Sequence, residues 1–196
     1  MTFKLGLTGS IGMGKSTTAG FFRELGCDVW DADAAVHRLY SKNGGAVGPI
    51  SAVFPDVIEN EMVSREKLRD ALMADPTKFP ALERIIHPLV AKDRHNFIKS
   101  AKADIVVLDI PLLFETGAEK AMDAIACVSV SADQQKKRVL DRGTMNVAAF
   151  EKILSRQWPN AEKEAKSDYV IKTDTFESAK AQVSKIVDEI RKSQNA

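Results

Sequence analysis

Cysteine is scarce: Cys27 and Cys127 are the two in 196 residues. Both sit in apolar stretches, and a metal site or disulfide framework would show more cysteines at closer spacing, so both read as buried thiols of a reducing compartment. Equally absent is any run of about 18 apolar residues, which excludes a membrane-spanning helix from the expected fold. Charge of one sign is lacking too: 28 basic and 27 acidic residues leave a formal net charge of +1. So mixed a surface offers no broad attraction for nucleic acid or an anionic membrane, and any anion must be held locally. The start, Met1 to Leu7, leads straight into a glycine-rich turn instead of a signal-peptide pattern, from which a cytoplasmic location is expected. No internal repeat or low-complexity segment stands out. With 44% hydrophobic and 28% charged residues, what is present fits one packed domain with room for helical insertions.

Strand-like and helix-like segments alternate. Phe3 to Thr8 predicts a buried strand, followed by a turn containing Gly9, Gly12 and Gly14 and a helix from about Lys15. Cys27 to Trp30, Ile105 to Leu108, Ala124 to Val130 and Tyr169 to Ile171 read as further strands, the second of these apolar on every residue, as a strand covered on both faces should be. A last amphipathic helix runs from about Phe176 to Arg191, with Ala179, Val183, Ile186, Val187 and Ile190 at helical spacing. The alternation predicts an α/β fold, a five-stranded parallel sheet with helices on both faces. Its core comprises residues 1–33, 103–136 and 167–196. Residues 34–102 read as a helical insertion broken at Gly44-Gly45, Pro49, Pro55, Pro76 and Pro80, and residues 137–166, rich in Lys and Arg, as a mobile lid over a phosphate site.

Gly9-Ser10-Ile11-Gly12-Met13-Gly14-Lys15-Ser16 matches GxxxxGKS between a predicted strand and a predicted helix, the context that this phosphate-binding loop requires. Backbone N–H groups from Ile11 through Thr17 are expected to converge on the phosphates of ATP. Lys15 reaches the β- and γ-phosphates and the Ser16 hydroxyl ligates Mg2+. A second metal oxygen is expected from Asp109, at the carboxyl end of the Ile105–Leu108 strand, where ligands of open α/β sheets bind. An Asp there also serves simply to cap a turn.

The loop encodes phosphate binding and nothing about the acceptor. The chain contains no Asn-Lys-x-Asp base-reading tetrapeptide and no Asp-x-x-Gly switch near the second strand, which argues against a GTPase. After the second strand comes Asp31-Ala32-Asp33-Ala34-Ala35-Val36-His37, with two carboxylates and an imidazole for an acceptor hydroxyl. Asp31 or Asp33 would alternatively cap the following helix. Two classes of reading stay open on these residues: a P-loop kinase of some small alcohol or nucleotide, for example a nucleoside, a nucleoside monophosphate or a shikimate-like alcohol, and a non-catalytic nucleotide-binding regulator.

Five elements in order narrow the choice: Gly6 to Ser16, Asp31-Ala32-Asp33 with His37, Ile86-His87-Pro88, Asp109-Ile110-Pro111-Leu112-Leu113-Phe114-Glu115 and Arg156-Gln157-Trp158-Pro159. Together they resemble the dephospho-coenzyme A kinase family. The resemblance implies transfer of the ATP γ-phosphate to the ribose 3′-hydroxyl of dephospho-coenzyme A by a monomer, without nucleic-acid or membrane partners. It implies Asp33 as the base, with Asp31, His37, His87, Leu112, Leu113 and Phe114 near the acceptor and Arg138 and Arg142 on the transferring phosphate. His87 before Pro88 would otherwise be a surface imidazole at a helix kink. Ser10 and Met13 depart from the family at variable loop positions, and Lys172-Thr173-Asp174-Thr175 replaces the Asn-rich turn that in many members lies near the adenine, so no adenine contact is carried over.

Overall fold

A computed structural model describes residues 2–194. The chain passes in order through β1 (Phe3–Thr8), α1 (Lys15–Glu24), β2 (Asp28–Asp31), α2 (Ala32–Tyr40), α3 (Val47–Val53), β3 (Ile58–Glu59), β4 (Met62–Val63), α4 (Arg65–Ala74) and α5 (Phe79–Ser100). It continues through β5 (Ile105–Asp109), β6 (Ala124–Ser129), α6 (Ala132–Asp141), α7 (Val147–Leu154), α8 (Asn160–Ala165), β7 (Tyr169–Lys172) and α9 (Phe176–Gln194). The five strands foreseen from apolar patterning all form, and they make one parallel sheet in the order β2-β5-β1-β6-β7 with helices around it. β5 is buried along its whole length, which is why Ile105 to Leu108 carries no polar alternation.

The chain divides into two compact units, one holding the sheet up to Trp30 and from Ala101 onward, the other spanning Asp31–Ser100. In the first, Leu5, Leu7, Phe22, Ile105, Val107, Val128 and Ile171 pack with the inward stripe of α9, where Ala179, Val183, Ile186, Val187 and Ile190 are all buried. α1 contributes Ala19 and Phe22 to this core and lies against α9. The parallel register sets Leu7 of β1 beside Asp109 of β5, and Thr8 beside Cys127 of β6. The ends of three strands therefore meet where the glycine-rich loop starts.

The second unit has its own core of Tyr40, Ile50, Phe54, Val57, Leu68, Leu72 and Ile86, with α2 packed on α5 and Arg38 bonded to Asp93 at 2.7 Å. Two features depart from the all-helical reading of this stretch. β3 and β4 form a hairpin turning through Asn60 and Glu61, with φ of 49° and 63°. Strands two residues long carry no periodicity to read. Pro49 and Pro80 were expected to break helices, yet each sits in the first turn of one, α3 and α5 respectively, where a missing N–H costs no hydrogen bond. Pro88 lies deeper in α5, and the helix carries on through it.

Candidate active site

β1 ends at Thr8, and α1 begins only at Lys15. Gly14 caps α1 with φ 88°, and Gly12 has φ 79°, both in the left-handed region that side chains resist. A Cβ on Gly12 would also lie 2.5 Å from Val139 Cγ2. Among the described residues no side chain caps α1, and its first turn carries no acid. Its leading N–H groups have no intrahelical acceptor, and the helix dipole adds partial positive charge there, which together make an anion site. Lys15 forms an ion pair with Asp109, whose side chain is 2% exposed. The Ser16 and Thr17 side chains are exposed.

This donor set fits magnesium. A buried carboxylate beside the loop and an exposed hydroxyl are hard oxygen ligands, and Mg2+ keeps several waters while taking one or two protein oxygens plus phosphates. A dedicated cage is not required. Among the described residues there is no group of three or more His, Cys, Asp or Glu side chains able to hold a metal.

Residues far away in sequence clasp the loop. The Gln135 amide donates to Ile11 O at 2.7 Å and the Thr173 hydroxyl to Met13 O at 2.8 Å. Ser10 N–H donates to Asn160 Oδ1 and Ile11 N–H to Gln157 Oε1, both at 3.2 Å. Met13 is itself buried, its sulfur accepting from Val130 N–H, so it has only backbone to offer a ligand. Beside the loop a cavity of about 250 Å³ is lined by Gly12, Gly14, Thr17, Phe21, Arg138, Arg142 and the turn Thr173 to Phe176. Arg138 is fixed there by Thr173 Oγ1 at 3.1 Å and Thr173 O at 2.6 Å. Arg142, at the end of α6, is exposed. The predicted Gly12, Gly14, Thr17, Arg138 and Arg142 thus line one space, while the Lys15 ammonium is turned to Asp109.

The turn after β5 is less open than expected. Leu113 is fully buried and Phe114 nearly so, the latter stacked on Trp158 with ring centroids 5.9 Å apart; of the three predicted acceptor contacts here only Leu112 faces outward. The basic segment 137–166 also holds a surprise. Lys163 is 0% exposed, paired with Glu115 Oε1 at 2.8 Å and donating to Pro111 O at 3.1 Å. Glu115 Oε1 also accepts from Trp158 N–H at 2.8 Å. Near α8, burial opposes ionisation of Glu164, but the Ser129 hydroxyl, the Lys172 ammonium and the Asn160 amide together hold its carboxyl below the usual range. Burial, reinforced by Glu164, pushes the Cys127 thiol up to about 12.

In the second unit, Asp31 caps α2, accepting from Ala34 N–H at 2.9 Å. Asp33, in the first turn of α2, has no such duty and is exposed. His37 follows one turn later on the same face, also exposed, and His87 is exposed on α5. A cavity of about 340 Å³ is lined by His37, Tyr40, Ser41, Glu59, Asn60 and Arg65, among others, with the Arg65 guanidinium 5.9 Å from the Tyr40 ring centroid. Tyr40, Arg65 and Gln135 escaped the sequence reading, which had no local signal for any of them, and Thr173 was noted only as part of a departure from the family, without a contact.

The family described as CoaE, dephospho-CoA kinase, matches residues 3–178. A dephospho-CoA kinase of Ruegeria pomeroyi is 60% identical over 191 residues, 97% of each chain. One of Cereibacter sphaeroides is 52% identical over 194 residues, 99% of this chain and 98% of the relative. Among solved structures, TT1252 from Thermus thermophilus superposes with a TM-score of 0.85 at 27% identity, covering 95% of this chain and 96% of its own. A dephospho-CoA kinase from Campylobacter jejuni, 22% identical and covering 99% and 100%, gives 0.72, a likeness of fold.

Proposed function

The chain belongs to the dephospho-CoA kinase family and is an ATP-dependent kinase of dephospho-CoA in coenzyme A biosynthesis; from that premise we propose that Asp33 is the general base and the ribose 3′-hydroxyl the acceptor. The hydroxyl oxygen attacks the γ-phosphorus, the bond from that phosphorus to the β–γ bridging oxygen breaks, ADP leaves, and the hydroxyl proton passes to the Asp33 carboxylate. The observation that carries the donor side is the uncapped start of α1 behind left-handed Gly14, with Lys15 on the buried Asp109. Lys15, the N–H groups at the head of α1 and Arg142 stabilise charge on the phosphoryl oxygens, with Arg138 beside them; the Ile11 N–H expected there is taken by Gln157.

The 250 Å³ cavity takes the base and ribose of ATP, with exposed Phe176 as a wall. Ser16 and Asp109 would hold magnesium, which supplies neutralisation of the triphosphate charge. On the acceptor side, His37, His87 and Leu112 are open to contact, and Arg65 gives the second unit's cavity a cation for the acceptor's diphosphate. The near-neutral net charge supports a reading without nucleic acid. A cytoplasmic location, supported by two free, buried cysteines, and a monomeric state complete the proposal.

Asp33→Asn tests the base. Coupled ADP release, with product mass checked for one added phosphate, should show kcat lower by about 10²–10⁴-fold while ATP affinity is retained. Near-normal kcat would remove Asp33 from that role, and turnover of other alcohols ahead of dephospho-CoA would overturn the acceptor assignment.

A further inference from the structure

The two N–H groups at the entry of the loop are tied to one short stretch of the basic segment. Ser10 N–H meets Asn160 Oδ1 and Ile11 N–H meets Gln157 Oε1, each at 3.2 Å. The Asn160 carboxamide cannot turn over: its Nδ2 donates to Glu164 Oε1 at 2.9 Å and to Val128 O at 3.4 Å, both pure acceptors, which leaves its oxygen for Ser10. Glu164 is held in turn by Ser129 Oγ at 2.6 Å and Lys172 Nζ at 2.9 Å. From the other side the stretch is pinned by Trp158 N–H on Glu115 and by fully buried Lys163 on Glu115 and Pro111. Residues 157–163 are thus bonded into the strand ends and into the loop at once.

This sorts the loop's donors. Ser10 and Ile11 N–H are committed to side-chain carbonyls, and Met13 N–H to Ser10 O at 3.2 Å. The N–H groups at the head of α1 are left for a ligand. A glycine-rich loop without such ties would have to be ordered when phosphate binds, and donors fixed in advance are worth more in the transition state than donors that must reorganise.

We propose that Gln157 and Asn160 are positioning residues for phosphoryl transfer, acting through the Ser10 and Ile11 amides on the loop that receives the ATP phosphates. This rests on the loop assignment above. The test uses Gln157→Met, which keeps the side chain's bulk but replaces the carbonyl by a much weaker acceptor, beside Gln157→Glu, which keeps an acceptor oxygen. Amide hydrogen exchange at Ser10 and Ile11 is read together with steady-state kinetics in both substrates. Gln157→Met should lose protection at Ile11 while keeping it at Ser10, and should lower kcat by up to about 10²-fold with KM for dephospho-CoA unchanged. Gln157→Glu should keep the Ile11 amide protected, with its added charge appearing as a higher KM for ATP. Asn160→Leu should reverse the exchange pattern, exposing Ser10 and sparing Ile11. Unchanged kcat in Gln157→Met despite a deprotected Ile11, or equal loss in Gln157→Met and Gln157→Glu with both amides protected, overturns the proposal. Lys15→Ala separates the premise: if it keeps full ATP affinity, the loop assignment itself falls.

Discussion

Removing the Lys163 ammonium should destabilise the protein more than its place in a basic, surface-like segment suggests. Lys163 is 0% exposed and Glu115 13%, and among the described residues Glu115 Oε2 is buried with no hydrogen-bond partner, so Lys163→Met strands a carboxylate in the interior. Breaking a buried pair from one side costs about 3–5 kcal/mol. At about 2–4 °C per kcal/mol for a chain of this size, Tm should fall by roughly 6–20 °C. Pro111 O keeps its second donor, the Thr8 hydroxyl at 3.2 Å, so the penalty rests mainly on Glu115. Adding Glu115→Gln removes the stranded charge while leaving an oxygen for Trp158 N–H. The double variant should therefore be more stable than the sum of the single effects by about 1–3 kcal/mol. Thermal melts of the four proteins in one buffer decide it. A Lys163→Met penalty below about 1 kcal/mol, or strictly additive effects, would refute the account of Lys163 as a buried, charge-compensating group.

Gly12→Ala combines a left-handed backbone penalty of about 1–2 kcal/mol with overpacking against Val139 of about 1–3, so the denaturation midpoint and ATP affinity should drop together; a variant as stable as the parent would contradict the geometry. Cys27 and Cys127, their thiols pushed up to about 11 and 12 chiefly by burial, should resist a disulfide reagent at pH 8 until the chain unfolds, and rapid labelling of the native protein would count against their burial. The carboxyls of Glu164 and Asp104 both lie below their usual values, Glu164 through the bonds described and Asp104 chiefly through its hydrogen bond from Arg191. Depressed carboxyls stabilise the fold above their unfolded pKa and lose that contribution as pH falls through the folded pKa. Tm should therefore decline on acidification below about pH 4.5, less steeply in Glu164→Gln, and a parallel decline would exclude Glu164.

The features legible in the sequence are those whose cause is local. β1, the glycine loop and the start of α1 are contiguous, and each residue type there answers a constraint within a few positions: apolar for a covered strand, glycine for left-handed backbone, Lys and Ser at a helix head. The stripe of α9 is legible for the same reason, since one face of one helix carries it. What stayed hidden acts across the chain. Gln135 touches the loop from 124 residues away, Gln157 from 146, Asn160 from 150 and Thr173 from 160, and no spacing rule connects them. Gln157 was visible as part of a motif, but its partner, a backbone N–H, leaves no mark in the sequence.

Lys163 shows how composition can mislead in the same way. A segment dense in lysine and arginine reads as solvated and mobile, because a lone ammonium is costly to bury. Burial becomes affordable only where the fold supplies a carboxylate and a carbonyl together, and Glu115 and Pro111 do so from the turn after β5. That same turn was expected to meet the acceptor through Leu113 and Phe114, both of which are buried. Of the residues predicted for the acceptor, Leu112, Asp33, His37 and His87 are the exposed ones. On the proposed roles, exchanging the loop should alter how phosphate is held, Asp33→Asn should lower kcat, and Leu112→Ala should raise KM for dephospho-CoA. If Leu112→Ala changes KM for ATP and leaves KM for dephospho-CoA untouched, the proposed acceptor contact of Leu112 is wrong.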